Sequence, residues 1–140
     1  CVQSPRHVVS VLRAVHGHER LLLWEDFCGT AAVSRRWIKE GTARGDRAVG
    51  VDLDQHVVEV ARSWAGAELG AVERERLVLK VGDCRGDGGA VEGADVVFAG
   101  NFSVGYLHTR GELVRYLRVC AARCRRGSSG LGGGVLACDT

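Results

Sequence analysis

The sequence contains no methionine and only one proline among its 140 residues. Because the chain begins with Cys1 rather than with a methionine, we expect it to be a fragment that is incomplete at its N-terminus. No apolar run approaches the roughly 18 residues that a membrane helix needs, and the first residues lack the basic-then-apolar order of a signal peptide. We therefore expect a soluble, cytoplasmic protein that has no membrane partner.

A surplus of charge is also missing from the chain. Nineteen Lys and Arg residues face seventeen Asp and Glu residues, and the formal net charge of +2 is too small to demand a polyanionic partner. Arginine outnumbers lysine 17 to 2, which is more typical of GC-rich coding than of phosphate recognition. The sequence therefore carries no strong nucleic-acid signal, and it does not indicate an oligomeric state.

The six cysteines do not follow the spacing of a metal site or a disulfide framework. Cys120 and Cys124 form the only close pair, and no second pair is present to complete a tetrahedral zinc shell. Disulfide scaffolds are short, secreted and poor in apolar strands, unlike this chain. We expect the thiols to serve as small core residues, and we predict no metal ligands.

Apolar segments alternate with helical patterns along a length that suits one domain, residues 1–140. Strands are predicted at 20–27, 47–54, 76–83, 94–100 and 132–139. Helices are predicted from Ser4-Pro5 to Gly17, over 28–41, over 54–69 after an Asp54 cap, and after a capping box at Thr109. This alternation predicts an α/β fold with a doubly wound, mainly parallel sheet and helices on both faces.

Helical spacing also predicts which side chains face the core. In 28–41 we expect Arg35 to face outward, as do Arg36 and Lys39. In the last helix Arg123 is expected to favour the C-terminal dipole. The apolar stripe of that helix is predicted as Leu113, Leu117, Cys120 and Cys124, and the tryptophans Trp24, Trp37 and Trp64 are predicted to be core or helix-face residues.

Acidic residues stand at the ends of three predicted strands. Glu25 precedes a tight turn at Gly29, Asp52 follows 23 residues after Gly29, and Asp83 ends the third strand. A carboxylate placed like Asp52 can accept hydrogen bonds from both ribose hydroxyls of a nucleoside, and Asp83 could accept one from an adenine amino group. Together they outline a pocket for an adenosine-like ligand, although solvated strand ends would also be acidic.

Four segments, LLLWEDFCGTAA, AVGVDLD, VLKVGDCRG and ADVVFAGNFS, resemble the class I S-adenosylmethionine-dependent methyltransferases in order and spacing. EDFCGTAA is similar to a subgroup whose acid-x-G-x-G-x-G turn carries Phe and Ala at the outer glycines, here Phe27 and Ala31. The resemblance covers nearly the whole chain. It implies a Rossmann-like methyltransferase fold, S-adenosylmethionine as the cofactor, and methyl transfer as the reaction.

The resemblance also implies a place for each part of the cofactor. The resemblance places Glu25 and the turn residues 28–30 around the methionine part, although Cys28 could equally be a packing residue. Asp52 would hold the ribose and Leu53 would lie beside the adenine. Asp83 and the Cys84 amide would bind the adenine, and Asn101 would lie near the transferred methyl. The candidate cofactor contacts are Glu25, Phe27, Cys28, Gly29, Thr30, Asp52, Leu53, Asp83, Cys84 and Asn101.

The methyl acceptor and any catalytic residue are not identified by the sequence. Asn101-Phe102-Ser103 lacks the two prolines of enzymes that methylate DNA amines, which favours a small-molecule or protein acceptor. Methyltransferases of this class continue past the fifth strand, so we expect the chain to be incomplete at its C-terminus. Two alternatives stay open: an NAD(P)-dependent oxidoreductase, and a truncated, non-catalytic cofactor-binding module.

Overall fold

The computed structural model describes residues 4–16, 21–86, 93–127 and 132–139. Its five strands are β1 (Leu22–Asp26), β2 (Arg47–Asp52), β3 (Leu77–Val81), β4 (Val96–Ala99) and β5 (Val135–Cys138). Its helices are α1 (Pro5–His16), α2 (Ala32–Glu40), α3 (Gln55–Glu68), α4 (Ala71–Arg74) and α5 (Arg110–Arg123). Short 3-10 turns cover Thr42–Arg44 and Ser103–Tyr106.

The strands form one parallel sheet in the order β3-β2-β1-β4-β5. From β1 the chain builds outward through β2 to β3, and it then returns to add β4 and β5 on the other side. The strand order therefore reverses between β1 and β4, where ligands bind in sheets of this kind, beyond the carboxyl ends of the strands. The predicted doubly wound fold class is confirmed.

Helices cover both faces of the sheet, as the sequence predicts. On one face α1, α2 and α3 pack over Leu23 of β1 and Val96 and Phe98 of β4. On the other face α5 places Tyr116 and Cys120 over β1, β2 and β4. Because β1 is covered on both sides, all five of its residues are buried.

The structure corrects two predictions about helix α2 and agrees with the placement of the tryptophans in the core or on a helix face. Helix α2 begins at Ala32 rather than at residue 28, because the residues before it form a left-handed turn. Arg35 is buried rather than outward-facing, and it pairs with Glu68 and stacks on Trp64. Trp24 and Trp37 are core residues, whereas Trp64 is 47% exposed on its helix.

Helix α5 buries a stripe that shares Cys120 with the predicted one but is otherwise different. Tyr116, Cys120 and Arg123 are buried, while Leu117 is 39% exposed. The helix faces the sheet this way because Tyr116 and Arg123 both bond to the buried carboxylate of Asp26. An unpaired buried charge costs several kcal/mol, more than about 1.5–3 kcal/mol for exposing one leucine. Gly17, the predicted end of α1, lies outside the described residues.

None of the described helices is long and apolar enough to cross a lipid bilayer.

Candidate functional site

The turn between β1 and α2 adopts an alternating left-handed backbone. Phe27, Gly29 and Ala31 have φ values of 52°, 53° and 54°. Only glycine adopts this region without a steric penalty, which is roughly 1–2 kcal/mol for other residues. Phe27 and Ala31 stand where the resemblance places the outer glycines. The turn therefore keeps a backbone conformation that favours glycine, although both residues have a Cβ.

Hydrogen bonds tie this turn to the end of β2. The Cys28 amide donates to the Val51 carbonyl at 3.0 Å, and the Gly29 amide donates to Asp52 Oδ2 at 2.8 Å. A Cβ built on Gly29 would meet no atom within 4 Å, so this position faces open space. The backbone here can therefore approach a ligand closely, as the sequence predicts for Gly29.

Glu25 is almost fully buried beneath the start of α2. Its Oε2 accepts hydrogen bonds from the Ser34 amide at 2.9 Å and from the Ser34 hydroxyl. Burial raises the pKa of Glu25 to about 7, although the Ser34 bonds act in the opposite direction. This carboxyl is thus poised between its neutral and charged forms near neutral pH, next to the candidate site.

Asp52 and Asp83 lie at the ends of β2 and β3, which are adjacent strands. Asp52 uses one oxygen for Gly29 and the other for the Asp54 amide at 3.0 Å. Asp83 accepts hydrogen bonds from the backbone and side chain of Arg85, which hold its pKa below the usual value. The Asp83 carboxylate is therefore charged at neutral pH, and both acids retain accepting capacity for a ligand.

A cavity of about 260 Å³ opens at these strand ends. Its walls come from the turn after β1, the ends of β2 and β3, and the segment after β4. The lining residues are Phe27, Val51, Asp52, Leu53, Gly82, Asp83, Cys84, Arg85, Tyr106 and Leu107. Apolar rings and chains thus lie beside two carboxylates, an arrangement that suits a flat, polar-edged group such as a nucleobase with its ribose.

A second cavity, of about 120 Å³, shares the β1–α2 turn with the first. It is lined by Pro5, Val8, Glu25, Cys28, Gly29, Thr30, Ala32, Val33, Phe98, Gly100 and Asn101. Each of the ten candidate residues from the sequence lines one of these two cavities. The structure therefore brings the candidates together at one edge of the sheet.

Beneath the first cavity lies a buried polar cluster that the sequence analysis missed. Asp26 is fully buried and accepts hydrogen bonds from Trp24 Nε1 at 2.9 Å, Tyr116 Oη at 2.8 Å and Arg123 Nη1 at 2.9 Å. Arg123 is buried rather than a surface cation at a helix end. A signal was present: consecutive acids at the end of a strand point to opposite faces, so Asp26 needs a cation beneath the sheet.

Asp139 is a second residue that the sequence analysis missed. It follows β5, and its carboxylate accepts hydrogen bonds from the Asn101 amide at 2.9 Å and the Phe102 amide at 2.8 Å. Asn101 and Phe102 both have left-handed backbones with φ of 56°. Asp139 therefore holds the strained turn that places Asn101 at the second cavity.

A more voluminous cavity, of about 600 Å³, lies at the opposite edge of the sheet and contains none of the candidate residues. Arginines line part of it, but Arg44 bonds to Asp46 and Arg76 bonds to the Thr42 carbonyl. Parallel sheets bind ligands at the carboxyl ends of their strands, so size alone does not make this cavity the functional site. Within the described part of the chain, no cluster of three or more His, Cys, Asp or Glu could hold a metal ion.

No known protein-family model matches the sequence, and no curated protein sequence matches it either. Solved structures do share its fold. The glycopeptide N-methyltransferase MtfA superposes with a TM-score of 0.71 at 15% identity, over 86% of this chain and 49% of that protein.

Two further solved structures are similar. For magnesium protoporphyrin IX methyltransferase ChlM from Synechocystis PCC 6803 with bound SAM, the TM-score is 0.67 at 19% identity, over 86% of this chain and 52% of that one. For the CcbJ methyltransferase from Streptomyces caelestis it is 0.67 at 20% identity, over 83% and 43%. The chain spans about half the length of these proteins, and it has their Rossmann-like methyltransferase fold.

Proposed function

We propose that this chain binds S-adenosylmethionine and belongs to a methyltransferase that transfers the cofactor's methyl group to a small-molecule or protein acceptor. The observation that carries the proposal is the contact between Asp52 and the Gly29 amide, with Asp83 lining the same cavity. It joins the acidic end of β2 to the glycine turn after β1, at the edge where the strand order reverses. Neighbours in fold were solved with SAM, sinefungin or SAH.

In this proposal the two cavities divide the cofactor between them. The adenosine part lies in the first cavity, where Asp52 accepts from the ribose hydroxyls and Asp83 from the adenine amino group. Phe27 and Leu53 pack against the adenine. The methionine part passes the Gly29 turn into the second cavity, where Glu25 offers a carboxyl group to its ammonium.

The site chemistry needs binding and orientation more than a dedicated base. When bound, the cofactor would supply a methyl group on a cationic sulfur. The acceptor atom would bond to the methyl carbon in line as the methyl–sulfur bond breaks, and the sulfur would leave as a neutral thioether. Orienting the two reactants can lower the barrier by roughly 7–11 kcal/mol. Asn101, held by Asp139, stands at the second cavity where the methyl and the acceptor would meet.

The cellular setting belongs to the same proposal. The described cysteines Cys28, Cys84, Cys120, Cys124 and Cys138 are free thiols, which fits a reducing compartment such as the cytoplasm. We propose that residues 1–140 act there as one cofactor-binding domain, of the subgroup with Phe and Ala at the outer positions of the turn.

Calorimetric titration with S-adenosylhomocysteine tests the proposal. Wild-type chain should bind, and Asp52→Asn should weaken binding by roughly 10- to 100-fold because a charged acceptor for the ribose is lost. Asp54→Asn is the matched control, since it removes the same charge two residues away while its side chain can still cap α3.

Absence of binding by the folded wild-type chain would defeat the proposal, and so would equal affinity of the Asp52 and Asp54 variants. A parallel titration with NADH separates the oxidoreductase alternative, which predicts the opposite ligand preference. Binding without any methylation of an acceptor would favour the non-catalytic module.

A further inference from the structure

Arg123 bonds to Cys84, which lines the first cavity, and to Asp26, which directly precedes the lining residue Phe27. Its Nη1 donates to both oxygens of Asp26, at 3.0 and 2.9 Å. Its Nη2 donates to the Cys84 carbonyl at 2.8 Å and to the Gly86 carbonyl at 2.8 Å. One guanidinium group therefore joins the end of β1 to the segment that follows β3.

This link spans strands that are not neighbours. The order β3-β2-β1 places β2 between them, and the first cavity lies at the end of β2, where Asp52 stands. Phe27, on one wall, directly follows Asp26, and Cys84, on the other, is itself an Arg123 partner. The planar fork of the guanidinium sets the separation of the two walls, because its two terminal nitrogens point in fixed directions.

In the described part of the segment after β3, residues 82–86, few other hydrogen bonds reach beyond the segment itself. Among its described backbone bonds, the Gly82 amide reaches the Asp52 carbonyl at 2.9 Å, and the Gly86 amide folds back to the Asp83 carbonyl at 3.1 Å. Arg85 bonds to Asp83 within the same segment, and its Nη1 lies 3.9 Å from Glu112 Oε1 of α5. The two bonds from Arg123 are therefore the described hydrogen bonds that join Cys84 and Gly86 to the body of the fold, in addition to the packing of Cys84 in the core.

Its surroundings hold Arg123 in one orientation. Its side chain is only 3% exposed and lies over the Trp24 ring at 4.9 Å. Asp26 is fixed in turn by Trp24 and Tyr116. A buried arginine with a satisfied carboxylate partner is rigid, so it can transmit the position of β1 to the segment after β3.

We infer that Arg123, held by Asp26, is a positioning residue that sets the shape of the adenosine cavity. The inference rests on the proposed function. Arg123 touches no ligand itself and acts through the carbonyls of Cys84 and Gly86, which fix the segment that bears Asp83 and the Cys84 amide.

The test compares Arg123→Lys with Arg125→Lys by calorimetric titration with S-adenosylhomocysteine and with adenosine. Lysine keeps the positive charge beside Asp26 but cannot donate to all four oxygens at once. Arg125 is a matched control. It lies two residues after the end of the same helix, but it pairs with Asp95 at 3.0 Å, at the opposite edge of the sheet.

Arg123→Lys should bind both ligands about tenfold more weakly, with a stoichiometry still near one. Arg125→Lys should bind like the wild type. Measurements are made under conditions in which circular dichroism shows that at least nine-tenths of the protein is folded. There, residual unfolding changes the apparent Kd by only about a tenth, so a tenfold change reports a reshaped cavity.

If Arg123→Lys does not fold, the double variant Asp26→Asn/Arg123→Gln carries the same test, because it leaves no unpaired buried charge. Wild-type binding with unchanged affinity in the Arg123 variant overturns this inference alone. A reduced stoichiometry at unchanged Kd also overturns it. Failure of the folded wild type to bind either ligand overturns the proposed function, and the inference with it.

Discussion

The two consecutive acids at the end of β1 bond to partners on opposite faces of the sheet. Glu25 and Asp26 are both buried, yet they face opposite sides of the sheet because side chains alternate along a strand. Glu25 lies under α2 and bonds to Ser34, which is close in sequence. Asp26 lies over α5 and bonds to Arg123, 97 residues away along the chain.

Neither of these partners, Ser34 or Arg123, was predicted from the sequence. The meeting of Gly29 with Asp52 follows from the ends of two neighbouring parallel strands, and it could be predicted. The pairing of Asp26 with Arg123 depends on how α5 is rotated over the sheet. That rotation follows from packing over the whole face rather than from the apolar spacing of the helix.

Glu25 predicts a specific pH dependence of stability. Its pKa rises from an ordinary 4.5 to about 7 on folding, so the folded state binds more protons between these values. The free energy of unfolding should therefore fall as pH rises from about 4.5 to 7, by about 3 kcal/mol from this group. Glu25→Gln removes this contribution and should flatten the profile.

Urea denaturation of both proteins between pH 4.5 and 8 measures the difference. The gap between the wild type and Glu25→Gln should change by about 3 kcal/mol across the range, in favour of the variant at high pH. Parallel profiles would contradict the burial argument for Glu25.

At the scale of elements, helix boundaries follow their local signals when a side chain supplies the cap. Asp54 accepts from the His56 amide at 2.9 Å and the Val57 amide at 3.3 Å, and Thr109 forms the predicted capping box with Glu112. Helix α2 lacks a side-chain cap, and its start was predicted four residues too early. The left-handed turn over residues 27–31 decides that boundary. Only one of its three left-handed residues is a glycine, the residue type that usually marks such a turn in a sequence.

The cap of α3 gives a prediction at this scale. Asp54→Ala should lower the free energy of unfolding by about 1 kcal/mol, because two amides at the start of the helix lose their acceptor. Asp54→Asn retains an acceptor and should cost much less. Equilibrium denaturation at pH 7 compares the two, and an Ala variant as stable as the wild type would show that the cap contributes nothing.

At the scale of the whole molecule, the alternation of strands and helices predicts the fold class, whereas the strand order comes from the structure. The reversal between β1 and β4 brings the turn after β1, the acids after β2 and β3, and Asn101 after β4 to one edge. Asp139 after β5 supports that edge from its far side. The sheet thus gathers residues that are up to 114 positions apart into one site.

The most direct test of this account maps S-adenosylhomocysteine onto the chain by titrating it into ¹⁵N-labelled protein and following amide chemical shifts. The account predicts the largest changes at Gly29, Leu53 and Cys84, with the amides of Arg44 and Gly45 at the opposite cavity unchanged. Shifts confined to the opposite cavity, or none at all from a folded chain, would contradict it.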